Sequence, residues 1–300
     1  MPVYNSAAFM HNLVGAIDTE KQKNGWDLEL ILVDDGSRDN SFAKIEELAA
    51  IYRYIRGLKL SKNFGHQIAV KTGLSHCTGD YVAIIDDDLQ DPPSLLPHFF
   101  SYLDKGYDVA YGVRKKRKES FIKRFSYNSF YRILKSMSDI YIPIDSGDFC
   151  VMKAHVVANM LKLREQNPFL RGIRAWVGFK QIGVEYERQA RLEGESGYTL
   201  KKLLKIAMDG IFSFSSAPIR LITMLGIIGF LFALVYSLNI IIGYFVYGIE
   251  ARGFASLAIL ISFFSSLMLV CLGIIGEYIV RIYDEVRARP YVVIEKTVNL

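Results

Sequence analysis

Short apolar runs alternate with helix-like segments over the first 113 residues of the chain. The apolar runs predict strands at Leu28–Val33, Gly57–Leu60, Tyr81–Ile85 and Asp108–Val113, and the segments between them predict helices at Ser41–Tyr52, Gly65–His76 and Ser94–Leu103. Strands that alternate with helices are typical of βαβ units, whose strands run parallel. The pattern therefore predicts an α/β domain with a mostly parallel sheet and helices on both faces.

The start of the chain departs from this pattern. It opens on Met1-Pro2-Val3-Tyr4-Asn5, which resembles the end of a strand and the loop after it. A sheet of this type normally has several apolar residues before such a loop. The first strand is therefore expected to be missing, with truncation favoured over a differently built edge.

Two long segments near the C-terminus contain no charged residue, Leu221–Ile249 and Gly253–Gly276. A helix needs ~20 apolar residues to cross a bilayer, so each segment is long enough to span one. Only Glu250-Ala251-Arg252 separates them. The sequence therefore predicts a two-helix transmembrane hairpin, with spans at 219–249 and 253–276. A pair of buried core helices is the alternative. It is disfavoured because both segments are apolar on all faces.

Charged residues flank this hairpin and predict its orientation. Residues 199–218 place apolar side chains at helical spacing with lysines between them, which predicts an amphipathic helix on the membrane surface, or else a surface helix of the globular domain. The flanking basic residues are Lys201, Lys202, Lys205, Arg220, Arg281, Arg287 and Arg289. The positive-inside rule therefore predicts a plasma-membrane protein whose domain at 1–198 and tail at 277–300 are cytoplasmic.

Charge, cysteines and missing motifs narrow the classes of function. The net charge is +5, and much of the positive charge lies at 114–124 and around 188–205 without a recognition motif, so nucleic acid is not an expected partner. The three cysteines match no disulfide or metal spacing. The sequence also lacks the glycine-rich loops typical of dinucleotide-binding and ATP-binding proteins.

Three acidic residues follow the predicted strand that ends at Ile85. Side chains at i and i+2 of an extended chain point the same way, so Asp86 and Asp88 share a face. With Gln90 just beyond, they form a hard oxygen site suited to Mg²⁺ or Mn²⁺, which a diphosphate ligand would complete. A solvated acidic turn is the alternative, and the aspartates alone do not separate the two interpretations.

Polar residues also follow the two preceding strands, and ligands of such sheets bind beyond the carboxyl ends of strands. Asp34 and Asp35 follow one strand, and their carboxylates can accept hydrogen bonds from base amides or ribose hydroxyls. The alternative is a cluster that caps the next helix through Asp39 or Asn40, and both interpretations can hold together. The third polar loop, at 61–65, follows the strand at Gly57–Leu60. Three polar loops at one edge of the sheet favour a binding site there.

These residues and their order resemble the family 2 glycosyltransferases of GT-A fold, and within them the membrane-anchored polyprenyl-phosphate glycosyltransferases, which include bactoprenol glucosyltransferases and dolichol-phosphate mannose synthase. The matching blocks are PVYN at 2–5, LVDDGSRD at 32–39, SKNFGHQIAVKTGL at 61–74, GDYVAIIDDDLQDPP at 79–93, DSGDFCVM at 145–152, FLRGIRAWVGF at 169–179 and RQARLEGESGY at 188–198. The resemblance implies a Rossmann-like GT-A fold and an inverting transfer of one sugar from a nucleotide donor to a polyprenyl phosphate.

The resemblance also implies roles for individual residues. The nucleotide-sugar site would comprise Pro2, Tyr4, Asp34, Asp35, Lys62, Asn63, Asp86 and Asp87, and the metal ligands would be Asp86, Asp88 and Gln90. Asp88 and Asp148 would be catalytic. Because a lipid phosphate is already largely ionised at pH 7, Asp148 is expected to orient the acceptor or act as a weak base, or alternatively to cap loop amides. Asp87 faces away from the metal and is expected to tolerate replacement.

Cations are expected to bind the acceptor phosphate, because guanidinium groups bind phosphate through two hydrogen bonds. The candidates are Arg114, Arg117, Arg124, Arg188 and Arg191, although a solvated or membrane-facing basic loop is the alternative for those at 114–124. Cys150 and Gly197 stand where the family often has basic residues. The acceptor contacts are therefore expected to differ, with Lys201 or Lys202 as replacements.

The leading hypothesis is a single-transfer enzyme that moves glucose from UDP-glucose onto undecaprenyl phosphate with Mg²⁺ or Mn²⁺, for modification of cell-surface glycans such as O-antigen. Mannose and other sugars remain open. A processive synthase is disfavoured because only Arg174-Ala175-Trp176 remains of the Gln-x-x-Arg-Trp motif. A catalytically silent scaffold for a flippase or partner transferase is disfavoured by the intact acidic turn. The expected partners are the bilayer, a second copy in a homo-oligomer, a flippase and a downstream transferase.

Overall fold

The loops that carry the polar residues are held by two four-stranded sheets. A computed structural model describes residues 1–114, 146–163, 165–166, 168–187, 217–247 and 253–300. These residues fall into two units: one holds the residues up to 187 together with 289–300, and the other holds 217–288.

The strands are β1 (Pro2–Val3), β2 (Leu30–Asp34), β3 (Ile55–Leu60), β4 (Tyr81–Ile84), β5 (Val109–Arg114), β6 (Ser146–Lys153), β7 (Gln181–Tyr186) and β8 (Ile294–Val298). The helices are α1 (Met10–Asn24), α2 (Ser41–Ile51), α3 (His66–Leu74), α4 (Leu96–Asp104), α5 (Ala154–Leu161), α6 (Leu170–Trp176), α7 (Ala217–Tyr247) and α8 (Phe254–Arg287), and a short 3₁₀ turn at Pro93–Leu95 precedes α4.

The first sheet has the strand order β1-β2-β3-β8. β1, β2 and β3 run parallel, and β8 joins β3 in the antiparallel direction. All residues of β2 are buried, as expected of a central strand covered by helices on both faces. Because the three parallel strands end at the same edge, the loops after β1, β2 and β3 lie next to one another.

The second sheet has the order β4-β6-β5-β7, with β6 antiparallel to both of its neighbours. Its register pairs Ile84 of β4 with Cys150 of β6. Continuing that antiparallel register by two residues carries Asp86 to the neighbourhood of Asp148. The register therefore brings two chemically important carboxylates together although they are far apart in the sequence.

Apolar side chains from both sheets and their helices form the core. Phe99 of α4 stacks at a tilt on Phe149 of β6, with ring centroids 4.8 Å apart, and both side chains are almost fully buried. Burial of one large apolar side chain stabilises a fold by about 1.5–3 kcal/mol. This packing holds β6, and with it Asp148, against the rest of the sheet.

The structure confirms the parallel β-α-β arrangement expected for the first part of the chain, and its described residues add β6, β7 and β8, which the sequence did not predict. β6 and β8 both pair antiparallel, so the sheets are mixed. Pro2 and Val3 form a two-residue strand on β2, where the sequence predicted the end of a strand.

The second unit consists of α7 and α8, whose apolar side chains are largely exposed to their surroundings. Pro218–Asn239 and Ile259–Arg287 contain 18-residue windows with mean hydropathies of 2.4 and 2.5, so both helices are long and apolar enough to span a membrane. The rings of Phe232 and Phe264 lie 6.5 Å apart, so the two helices are in contact. Most of the predicted amphipathic helix at 199–218 lies outside the described residues.

Candidate active site

Asp34 ends β2 with its side chain fully buried. Its Oδ1 atom accepts a hydrogen bond of 3.1 Å from the Ser37 amide, while its Oδ2 atom is buried and has no hydrogen-bond partner among the described residues. Burial raises the pKa of this carboxyl group, although the bonds from Ser37 act in the opposite direction. An unsatisfied buried acceptor is costly, so Asp34 is suited to a donor that a ligand would bring.

Asp35 connects the loop after β2 to the loop after β3. Its two carboxylate oxygens accept hydrogen bonds from the amides of Phe64, at 2.7 Å, and Gly65, at 3.0 Å. Burial raises the pKa of Asp35, and these amide bonds oppose the rise. Both oxygens therefore have structural partners, and the nucleoside contact expected of Asp34 and Asp35 stays a prediction.

The alternative interpretation of the Asp34–Asn40 loop, a cluster that caps α2, is also correct in part. Asp39 accepts hydrogen bonds from the Ser41 amide, at 3.1 Å, and from the Ser41 hydroxyl, at 2.6 Å. Asn40 occupies the N-cap position but makes no capping bond with its side chain. The loop therefore fixes the start of α2 through Asp39 and leaves Asp34 for another role.

The acidic turn follows β4. Burial raises the pKa of Asp86 to about 6, although His66, whose Nε2 atom lies 3.6 Å from Asp86 Oδ1, acts to lower it. Asp88 Oδ1 accepts a 3.1 Å hydrogen bond from the amide of Gln90, a residue that is itself buried. Leu89 between them has φ 53°, a left-handed conformation that costs a non-glycine residue about 1–2 kcal/mol. Strain of this kind concentrates at functional sites.

The donor set of this turn fits a divalent cation. Asp86 and Asp88 offer carboxylate oxygens and Gln90 offers an amide oxygen, which are the ligands that Mg²⁺ and Mn²⁺ prefer. Burial raises the pKa of Asp86, and a nearby positive charge would lower that pKa by stabilising the ionised carboxylate. Among the described residues no group of three or more His, Cys, Asp or Glu side chains is placed to hold a metal. The turn therefore fits an ion that takes its other ligands from water and a substrate diphosphate.

Asp87 contacts the loop after β1, a contact that the sequence did not predict. Its Oδ2 atom accepts hydrogen bonds from the Tyr4 amide, at 3.2 Å, and from the Ser6 hydroxyl. Burial raises the pKa of Asp87, and the bond from Ser6 opposes that rise. Asp87 thus joins the acidic turn to the loop after β1, which presents the half-exposed Tyr4 ring. The expectation that Asp87 tolerates replacement is therefore not supported by these contacts.

Asp87→Ala is expected to lower nucleotide affinity about tenfold, because it removes the hydrogen bonds from the Tyr4 amide and the Ser6 hydroxyl to a charged group, each of which contributes about 1.5–3 kcal/mol. Asp87→Asn, which keeps an acceptor oxygen, should retain most of the affinity. Nucleotide titration monitored by calorimetry compares the two variants with the unmodified protein. Equal affinity of all three would restore the sequence-based expectation.

Asp148 lies on β6 and is buried. Arg171 at the start of α6 binds it through two parallel hydrogen bonds, Nε to Oδ1 at 2.7 Å and Nη2 to Oδ2 at 2.9 Å. Gln67 Nε2 also donates to Oδ2, at 3.3 Å. Burial alone would raise the pKa of Asp148, but the Arg171 guanidinium, assisted by His66, holds it well below its usual range.

His66 connects this pair to the acidic turn. It is the first residue of α3, and its Nε2 atom lies 3.4 Å from Asp148 Oδ2 and 3.6 Å from Asp86 Oδ1. Burial lowers the pKa of His66, but the hydrogen bond to Asp148 and the charge of Asp86 outweigh it and raise the pKa to about 8. The two carboxylates therefore favour the protonated form of the imidazole.

Sequence reasoning missed His66, Gln67 and Arg171 as site residues. They lie within the blocks SKNFGHQIAVKTGL and FLRGIRAWVGF, which carried the resemblance, so the blocks were the available signal. The contacts of Asp148 favour one of the two roles expected from the sequence, and both roles stay predictions. A carboxylate whose pKa is held low by a guanidinium is a weak proton acceptor, so its orienting role is the one that the geometry supports.

The remaining predicted residues fall into two groups. Pro2 is buried in β1, whereas Tyr4, Lys62 and Asn63 are exposed at the edge where the loops meet. The Lys62 ammonium lies 5.0 Å from the centroid of the Phe64 ring. The predicted phosphate ligands Arg117, Arg124, Arg188 and Arg191 lie outside the described residues, as does the side chain of Arg114 at the end of β5.

Comparison with known proteins shows the family to which the chain belongs. The sequence profile of glycosyl transferase family 2 matches residues 1–161, and the chain belongs to that family. It is 40% identical over 301 residues to an uncharacterised glycosyltransferase of Bacillus subtilis, covering 100% of this chain and 93% of the relative. A prophage-derived bactoprenol glucosyl transferase of Shigella flexneri is 34% identical over 298 residues, covering 99% of this chain and 96% of the relative.

Among solved structures, a mannosyltransferase of Pyrobaculum calidifontis in complex with GDP-mannose and Mn²⁺ is 17% identical, with a TM-score of 0.46, 94% of this chain covered and 83% of the other. The family match confirms the expected enzyme class, a hexosyltransferase, and with the mixed sheets described above it confirms the GT-A fold class.

Proposed function

We propose that this enzyme transfers one sugar, glucose from UDP-glucose, onto the phosphate of undecaprenyl phosphate with inversion at the anomeric carbon. The observation that carries the proposal is the contact chain from Asp86 through His66 to Asp148 and Arg171, which sets a metal-binding turn beside an anchored cation. The two apolar helices and the bactoprenol glucosyl transferase relatives favour a lipid acceptor.

On the donor side, Asp34 supplies an acceptor for the nucleoside, and Asp87 holds the loop that presents Tyr4. Asp86, Asp88 and Gln90 would hold the divalent ion, Mg²⁺ or Mn²⁺, which supplies positive charge to the departing nucleotide diphosphate. Asp35 keeps the two donor-side loops in contact.

On the acceptor side, the reaction needs no proton acceptor. A phosphate oxygen of the lipid forms the new bond to the anomeric carbon while the bond from that carbon to the diphosphate oxygen breaks. The attacking oxygen is already ionised near neutral pH, so its correct placement matters more than deprotonation. The transfer can therefore proceed although the Asp148 carboxylate is hydrogen-bonded to Arg171.

The proposal extends to the setting of the reaction. α7 and α8 would anchor the enzyme in the plasma membrane with the site on the cytoplasmic side, and the lipid-linked sugar would serve cell-surface glycan modification. Self-association and partnership with a flippase and a downstream transferase stay predictions. Mannose is the second candidate sugar, because the donor-side contacts described here do not select a hexose.

Purified membranes containing the enzyme should convert undecaprenyl phosphate and labelled UDP-glucose into a lipid monosaccharide, because the proposed donor and acceptor sides would hold both substrates. EDTA should remove the activity and Mn²⁺ or Mg²⁺ should restore it. GDP-mannose is assayed in parallel. Transfer from that donor alone would replace the sugar, formation of long polymer would replace the single-transfer reaction, and no transfer from any nucleotide sugar would contradict the proposal.

A further inference from the structure

In the Asp148–Arg171 pair the carboxylate is buried more deeply than the guanidinium. The side chain of Asp148 is 7% exposed, whereas that of Arg171 is 31% exposed and that of His66 is 41% exposed. A molecule that enters from solvent therefore meets the guanidinium before it meets the carboxylate. This arrangement suits an anionic ligand.

Hydrogen bonds determine the orientation of the guanidinium. Its Nε and Nη2 atoms bind the two oxygens of Asp148, which aligns the guanidinium plane with the carboxylate. Gln67 links the backbone next to Arg171 to Asp148. Its Oε1 atom accepts a 2.9 Å hydrogen bond from the Leu170 amide, and its Nε2 atom donates to Asp148. Arg171 thus loses little conformational freedom when it binds a ligand, which favours affinity.

The position of the pair relative to the acidic turn fits the second substrate of a transfer. His66 contacts both Asp86 and Asp148, so a single side chain separates the metal-binding turn from the Arg171 pair. In an inverting transfer the nucleophile must lie on the far side of the sugar from the departing diphosphate. A cation one side chain away from the diphosphate site is placed to hold such a nucleophile.

We propose that Arg171 binds the acceptor's phosphate monoester, and that Asp148 is a positioning residue that holds Arg171 in place. The inference rests on the proposed function for the identity of the acceptor. Guanidinium groups bind phosphate oxygens in a fork geometry that an ammonium group does not reproduce. Arg174, on the same helix, is not the candidate, because it is 3% exposed and lies over the Tyr111 ring.

The test measures binding of undecaprenyl phosphate in lipid vesicles and binding of nucleotide with Mn²⁺, each in separate titrations. Arg171→Gln is expected to weaken lipid-phosphate binding about ten- to hundredfold, because a hydrogen bond to a charged group contributes about 1.5–3 kcal/mol. Nucleotide affinity should change less than about twofold, and Arg171→Lys should recover part of the loss. Undecaprenol, which lacks the phosphate, should bind all variants equally.

Arg56→Gln is the matched control. Arg56 is also 31% exposed and also pairs with a carboxylate, Glu29 at 2.7 Å, but it lies outside the site. It should bind both ligands as the unmodified protein does. Inorganic phosphate is titrated in parallel: Arg171-dependent competition supports a phosphate subsite, and stronger binding of the lipid identifies the lipid as the source of the phosphate.

Asp148→Asn separates positioning from catalysis by a base. A positioning residue predicts a higher KM for the lipid with a smaller change in kcat, whereas a base predicts a lower kcat at saturating lipid and would contradict the inference. Unchanged lipid-phosphate binding by Arg171→Gln, or equal loss of nucleotide and lipid binding, would also overturn it. If the unmodified protein binds lipid phosphate through Arg171 but transfers no sugar, the subsite stands and the proposed function fails.

Discussion

Asp88→Ala is expected to reduce sugar transfer to background, a loss of at least about 100-fold, which is typical when a group that stabilises developing charge is removed. Asp88 lies on the strained turn that also presents Gln90, and its Oδ1 atom accepts the Gln90 amide. Alanine removes both the carboxylate ligand and this bond. Binding of the nucleotide sugar should lose its dependence on Mn²⁺, because Asp88 would be one of the residues that hold the ion.

Radiolabelled transfer into lipid extract measures the rate, and calorimetric nucleotide titration with and without Mn²⁺ measures the metal dependence. Asp104→Ala, an exposed aspartate at the end of α4, is the control and should behave as the unmodified protein does. Recovery of Asp88→Ala in the membrane fraction with an unchanged thermal transition shows that the chain is folded. Normal transfer in that folded variant would rule out the metal role of Asp88.

The acidic turn and the donor-side loops could be predicted from the sequence because their geometry is local. Residues that directly follow parallel strands lie at one sheet edge, whatever the details of packing. The structure shows this for Asp34 after β2, and the Asp87–Tyr4 hydrogen bond joins the loops after β4 and β1. The alternation of strands and helices along the chain was enough to place these groups close together.

The acceptor side could not be predicted in the same way, because it depends on long-range register. Asp148 reaches the acidic turn only because β6 enters between β4 and β5 in the antiparallel direction, with Cys150 opposite Ile84. Nothing in the local pattern of DSGDFCVM states which strand it joins. Its contact with Arg171 then depends on how α6 packs against β6, and the composition of α6 alone gives no sign of that partner.

β8 shows the same limit at the scale of the fold. Ile294–Val298 follows α8 and pairs antiparallel with β3, with Leu58 opposite Thr297. The sequence suggested only a tail there, because five residues with alternating polarity identify a strand only when the neighbouring strand is known. Its pairing places the last segment of the chain at the edge of the first sheet.

Gly36→Ala is expected to lower the free energy of unfolding by about 2–5 kcal/mol, the sum of a left-handed backbone penalty and a steric clash. Gly36 has φ 64°, and a Cβ atom there would lie 2.3 Å from the carbonyl carbon of Lys62 and 2.6 Å from the amide nitrogen of Asn63. These are backbone atoms, so they cannot move aside by a change of rotamer. The loops after β2 and β3 would have to separate, and the bonds from Asp35 to Phe64 and Gly65 would lengthen.

Gly25 provides a closely matched control because its φ is 65° and no atom would lie within 4 Å of an added Cβ. Gly25→Ala therefore carries the backbone penalty without the clash and should cost only about 1–2 kcal/mol. Thermal unfolding of the detergent-solubilised protein ranks the two variants, and nucleotide titration tests the site directly. We expect Gly36→Ala to lose nucleotide affinity and Gly25→Ala to keep it, since only Gly36 sets the distance between Asp34 and the Lys62–Asn63 loop. Equal transition temperatures and equal affinities for the two variants would show that the contact between these loops does not shape the donor site.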